Sequence, residues 1–138
     1  METIYNRHAM VGNELKVLLV EDSQLLSDRL LELMSDINGV ESIGAVTTEE
    51  AAIRAIDAQQ PQAILLDLHL KEGTGFGVLR HINTMSRRPA VVVITNYALP
   101  QYRRQAEVLG ARFFLDKTQE FERIPETLEA LRKEKLSS

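Results

Sequence analysis

Five short apolar runs recur along the chain, separated by stretches whose apolar residues fall at helical spacing. The first, Leu15 to Val20, is rich in Val and Leu and reads as a strand. Glu21-Asp22-Ser23 follows and leads into a helical pattern with Leu26, Leu30, Leu33 and Ile37 on one face, which Asn38-Gly39 is expected to stop. The second run, Val40 to Val46, mixes polar and apolar residues and reads as an edge strand. Thr47, three residues before Glu50, has the spacing of a capping box opening an Ala-rich helix to Gln59, which Pro61 closes. The third run, Ala63 to Leu66, ends on Asp67, and a loop with Gly73 and Gly75 leads to a helix carrying Val78, Leu79 and Ile82. The fourth, Ala90 to Ile94, ends on Thr95; a helix from Pro100 to Leu109 follows, with Gly110 at the position past its end that favours glycine. The fifth, Arg112 to Leu115, ends near Asp116-Lys117, and a last helix starts near Ile124-Pro125 and runs to about Lys135.

Runs so uniformly β-branched or Leu-rich mark strands buried on both faces, and helical crossovers make such strands parallel. The pattern therefore predicts an α/β protein, an open doubly wound parallel sheet of five strands with five helices on its two faces. Residues 1–14 read as a flexible N-terminal extension, residues 15–138 as one domain, and Leu136-Ser137-Ser138 as a frayed end. A chain of 138 residues, 44% hydrophobic and 26% charged, suffices for one buried core. No apolar run approaches the roughly 20 residues that span a bilayer, and the polar opening METIYNRHAMVGNELK does not resemble a secretory signal. The expectations are a cytoplasmic protein with no membrane insertion. A net charge of −4 argues against direct nucleic-acid binding, and the Arg103-Arg104 pair reads as a solvated helix face. With no cysteine, disulfides and thiolate metal sites are excluded.

What ends each strand carries the chemistry. Ligands of open α/β sheets bind outside the carboxyl ends of the strands. Those ends offer Glu21 and Asp22, then Asp67, Thr95 and Lys117. Three converging carboxylates repel one another, and a hard divalent cation relieves them; Mg²⁺ takes a few carboxylates, keeps several waters and leaves room for phosphate oxygens. A carboxylate is also a competent nucleophile toward phosphorus, giving an aspartyl phosphate. Phosphoryl transfer needs positioning and charge neutralisation, which Mg²⁺, the Lys117 ammonium and the Thr95 hydroxyl would supply to Asp67.

These residues resemble the receiver domains of two-component response regulators. The likeness runs from about Leu15 to Lys135: Val17-Leu18-Leu19-Val20-Glu21-Asp22 is similar to the first strand with its acidic pair, and Ile64 to Leu70 to the phosphoacceptor strand, with Gly75 in the loop beyond. Val92-Val93-Ile94-Thr95 and Phe114-Leu115-Asp116-Lys117 match the fourth and fifth strand ends. The resemblance implies the flavodoxin-like receiver fold with sheet order 2-1-3-4-5. It implies direct Mg²⁺ ligation by Asp22 and Asp67, a water-mediated role for Glu21, and the backbone carbonyl of His69 as a further ligand. It also implies phosphoryl acceptance on Asp67 from a histidine kinase or histidine phosphotransfer protein. Thr95 and Phe114 would then relay the change to a surface of the fourth helix, fifth strand and fifth helix, where a downstream protein binds, with room for a homodimer on phosphorylation. Such a chain is a switch that catalyses only its own phosphorylation and dephosphorylation, not a metabolic enzyme.

Three positions depart from the family's pattern. Thr118 stands where many receivers have a cis proline, so that turn need not be cis; Lys71 replaces a proline and alters loop stiffness; Asn96 replaces a very small residue and narrows the route to Asp67. His69 and Tyr97, each two residues past a pocket residue, are expected beside the phosphoryl group, where bulk would slow attack by water. The competing readings are a Mg²⁺-dependent phosphatase with an aspartate nucleophile, a receiver fold that binds without being phosphorylated, and the detached receiver of a longer DNA-binding regulator. His69 stands where the phosphatases need a second acid. The chain ends shortly after its last helix and has no helix-turn-helix, so it is expected to be a stand-alone receiver or a receiver cut from a longer chain.

Overall fold

The computed structural model describes residues 14–137. Among them five parallel strands form one sheet in the order β2-β1-β3-β4-β5: β1 Leu15–Val20, β2 Val40–Val46, β3 Ala63–Leu66, β4 Ala90–Thr95 and β5 Phe113–Asp116. Five α-helices alternate with them: α1 Gln24–Ser35, α2 Glu49–Gln59, α3 Gly75–Ile82, α4 Pro100–Val108 and α5 Ile124–Ser137. This is the doubly wound fold and strand order expected.

Period-two alternation sorts the strand side chains onto two faces. Leu18, Val20, Ile64, Leu66, Val91 and Val93 point to a core shared with α2, α3 and α4. Val17, Leu19, Ala63, Leu65, Val92 and Ile94 point to a second core shared with α1 and α5, through Leu30, Met34, Leu128 and Leu131. β1, β3 and β4 are thus covered on both sides, which is why their sequences are apolar apart from the exposed Lys16 and the terminal Thr95. β2 has no fully buried residue, in keeping with an edge strand. None of the helices described is long and apolar enough to cross a membrane.

Several local expectations are corrected. α1 ends at Ser35, ahead of Asn38-Gly39: the Asp36 N–H closes on the Leu33 and Met34 carbonyls, and Ile37 serves the following turn. α2 is capped by Thr48, not Thr47; the Thr48 hydroxyl accepts from the Ala51 N–H at 3.1 Å. The Thr47 carbonyl instead accepts the Lys71 N–H at 3.0 Å, and Glu50 pairs with Arg54. β5 lies one residue later than expected, and α5 continues through Leu136 and Ser137. Of the extension expected at 1–14, residues 1–13 lie outside the described residues, whereas the Glu14 carbonyl accepts from Lys135 Nζ at 2.6 Å.

Candidate functional site

Three of the expected site residues are set just beyond their strands by backbone bonds that continue the ladder, and Thr95 is the last residue of β4. The Glu21 N–H donates to Val46 O (3.0 Å), Asp67 N–H to Val20 O (2.9 Å) and Lys117 N–H to Thr95 O (2.9 Å). Those bonds bring residues far apart in sequence to one edge of the sheet. Glu21, Asp22, Asp67, His69, Asn96, Tyr97 and Lys117 line a cleft of about 420 Å³ there.

At its base the charges are nearly dry. Glu21 is 0% exposed, Asp67 3% and Thr95 0%. Lys117 Nζ lies 2.8 Å from Asp67 Oδ2, a well-formed hydrogen bond, and 2.8 Å from Glu21 Oε1. The second contact is an ion pair at hydrogen-bond length, so the two buried carboxylates share one ammonium. Glu21 Oε2 accepts the Ser23 N–H, which joins the acidic pair to the N-cap of α1. Burial pushes the Glu21 carboxyl up to about 7, opposed by Lys117 and reinforced by the negative charge of Asp67. Burial also pulls the Lys117 ammonium down, but Asp67 and Glu21 outweigh it and hold the group above its ordinary value.

Oxygens of Glu21, Asp22 and Asp67 lie within 4.8 Å of one another. An all-carboxylate set that crowds three acids around one ammonium and leaves Asp22 exposed suits a hard cation that retains waters. The residues present therefore fit Mg²⁺.

Around this centre the loop from Leu68 to Thr74 is tightly tied. Gly75 lies so close to the Asp67 carbonyl that a Cβ would collide with it. Asp67 Oδ1 accepts the His69 N–H at 3.1 Å. Lys71 and Glu72 pair with Thr47 and Glu49 through backbone bonds, the first using an N–H that proline lacks. The Glu49 carboxylate accepts the Thr74 N–H at 2.9 Å and fills space left by the absent side chains of Gly73 and Gly77. Spacing alone did not single out Glu49 or Gly77.

The other expected residues are placed as follows. Thr95 Oγ1 accepts the Tyr97 N–H at 3.0 Å. Phe114 is 5% exposed and packed in the α2–α4 core. The Arg103 guanidinium covers that ring at 4.7 Å, so Arg103 is more than the solvated charge expected of it. His69 and Tyr97 are exposed and meet edge-on at 4.4 Å across the cleft mouth. No cis peptide occurs among the described residues, so the chain leaves Lys117 in trans. The turn after it is held by Asp116, whose Oδ1 accepts from Thr118 Oγ1, Thr118 N–H and Gln119 N–H. These bonds, the Thr118 hydroxyl first, keep the Asp116 carboxyl below its usual range.

Comparison with known proteins points the same way. The profile of the family described as "Response regulator receiver domain" matches residues 17–129. The chain is 34% identical over 123 residues to the sensory transduction protein LytT of Bacillus cereus, covering 89% of this chain and 49% of that protein. It is 28% identical over 117 residues to the transcriptional regulatory protein CitB of Klebsiella pneumoniae, covering 85% and 50%. The chain thus spans about half the length of the curated relatives it matches. Among solved structures it is similar to the signal receiver domain of a putative Luxo repressor protein from Vibrio parahaemolyticus, with 30% identity, a TM-score of 0.82 and coverage of 90% and 95%.

Proposed function

The chain belongs to the response regulator receiver family, and on that premise we propose that it is a phosphorylation switch whose acceptor is Asp67. The observation that carries the reading is the Asp67 carboxylate itself: 3% exposed, hydrogen-bonded to Lys117 at 2.8 Å, and within 4.8 Å of the oxygens of Glu21 and Asp22. A buried carboxylate so placed is held ready as a nucleophile, not as a structural ion pair alone.

In the proposed reaction a partner histidine kinase or phosphotransfer protein presents phosphohistidine at the cleft. An Asp67 oxygen attacks phosphorus, the P–O bond forms, the P–N bond breaks, and the imidazole departs with the bonding pair and takes up a proton. Asp22 and Asp67 would hold Mg²⁺ directly, Glu21 through water and the His69 carbonyl as a further ligand, and the ion would supply positive charge to the phosphoryl oxygens. Lys117 moves from its carboxylate partners to a phosphoryl oxygen, and the Thr95 hydroxyl exchanges the Tyr97 N–H for another. Thr95 and Phe114 pass that rearrangement to the α4–β5–α5 surface, where a downstream protein or a second copy binds. The setting is cytoplasmic, and turnover is limited to the chain's own acyl phosphate.

Mass spectrometry after incubation with acetyl phosphate and Mg²⁺ tests the reading. One added phosphoryl group on the parent and none on Asp67→Asn is expected. An unmodified parent, or an equally modified variant, overturns it.

A further inference from the structure

Lys117 reaches the site from the last turn of backbone after β5, so its ammonium is only as well placed as that turn. Four carbons separate the charge from the backbone, and a free lysine spreads over many rotamers. In this chain the turn is fastened on both sides of Lys117. Before it, the Asp116 N–H donates to Glu120 Oε1 at 3.0 Å and the Asp116 carbonyl accepts the Glu120 N–H at 2.8 Å. After it, Asp116 Oδ1 accepts from the Thr118 N–H at 2.8 Å, the Thr118 hydroxyl at 2.6 Å and the Gln119 N–H at 3.2 Å. At Lys117 itself the N–H is committed to Thr95 O at 2.9 Å. A single carboxylate oxygen therefore closes the loop through which Lys117 is presented, and Thr118 supplies two of its three donors.

We propose that Asp116 is a positioning residue for phosphoryl transfer, clamping Thr118 and Gln119 so that Lys117 is delivered between Glu21 and Asp67. It touches neither the phosphoryl group nor the cation; it acts only through Lys117. The assignment rests on Asp67 being the acceptor, so phosphorylation of the parent is established first and a failure there belongs to that reading alone.

The test compares parent, Asp116→Ala, Asp116→Asn and Thr118→Val for phosphorylation rate by acetyl phosphate and, separately, for Mg²⁺ affinity by calorimetry. Asp116→Ala loses the acceptor and is expected to be slower by roughly tenfold or more, because reacting groups held loosely forfeit much of the advantage of orientation. Its Mg²⁺ affinity is expected to stay within about twofold, since Glu21, Asp22 and Asp67 are untouched. Asp116→Asn keeps a carbonyl oxygen in the same place and should recover most of the rate. Thr118→Val removes one of three donors and should fall between; it carries the test if Asp116→Ala does not fold. A parent-like rate in Asp116→Ala, a parallel fall in rate and Mg²⁺ affinity, no recovery in Asp116→Asn, or an unaffected Thr118→Val would each overturn the clamp.

Discussion

Replacing Glu21 by glutamine should remove a stabilisation that fades with rising pH in the metal-free protein. Glu21 is 0% exposed and its carboxyl is raised from 4.5 to about 7, chiefly by burial. Between those values the folded protein holds a proton that the unfolded chain has lost. The contribution is fully present below the unfolded value, and it fades as pH rises through the folded one. With 4.5 for the unfolded chain and about 7 for the folded protein, linkage gives a loss of roughly 2–3 kcal/mol between about pH 5 and about pH 8.5. Glu21→Gln cannot ionise, so the parent's unfolding free energy relative to the variant should decline by that order across the range. The assay is urea unfolding followed by circular dichroism in chelator, with both proteins at each pH. Mg²⁺ should stabilise the parent by RT ln(1 + [Mg²⁺]/Kd), about 1.4 kcal/mol at ten times Kd, and more effectively at the alkaline end where Glu21 is charged. A parent-to-variant difference that stays flat with pH would refute the argument that burial keeps Glu21 protonated.

Four further outcomes follow from the same structure. Asp22→Ala should weaken Mg²⁺ binding by at least about tenfold in calorimetry, and an unchanged titration would remove Asp22 from the ligand set. Thr95→Ala should accept phosphate from acetyl phosphate yet leave the NMR resonances of Phe114 nearly unshifted; a parent-like shift would break the relay. Replacing His69 and Tyr97, whose rings meet at 4.4 Å over the cleft, by small polar residues should speed loss of the acyl phosphate several-fold, and decay at the parent's rate would show that they do not set its lifetime. Gly75→Ala, a change that ordinarily strengthens a helix, should instead lower stability by about 1–3 kcal/mol in thermal unfolding because the new methyl meets the backbone of Asp67 and Leu68, which cannot swing aside; a parent-like melting temperature would refute the clash.

The strands and the residues that end them were legible along the chain because both signals are local. A strand buried on two faces must be apolar throughout, so β1, β3 and β4 announce themselves, and the first polar residues after them, Glu21, Asp67 and Thr95, stand out by contrast. Parallel crossovers then oblige those ends to share one edge of the sheet. Matters decided by distant neighbours were not legible. The capping-box spacing favours Thr47, yet Thr48 caps α2 while the Thr47 carbonyl serves Lys71, a residue two elements away. Glu49 meets Gly77 only because the first turns of α2 and α3 lie side by side. Arg103 reads as surface charge until β5 places Phe114 beneath it. Composition names Glu21 as an acid, but its near-neutral titration comes from complete burial beside Asp67 and Lys117, and desolvation depends on every atom packed around a group. Periodicity is written residue by residue; burial, capping competition and charge coupling arise only once the chain has folded around them.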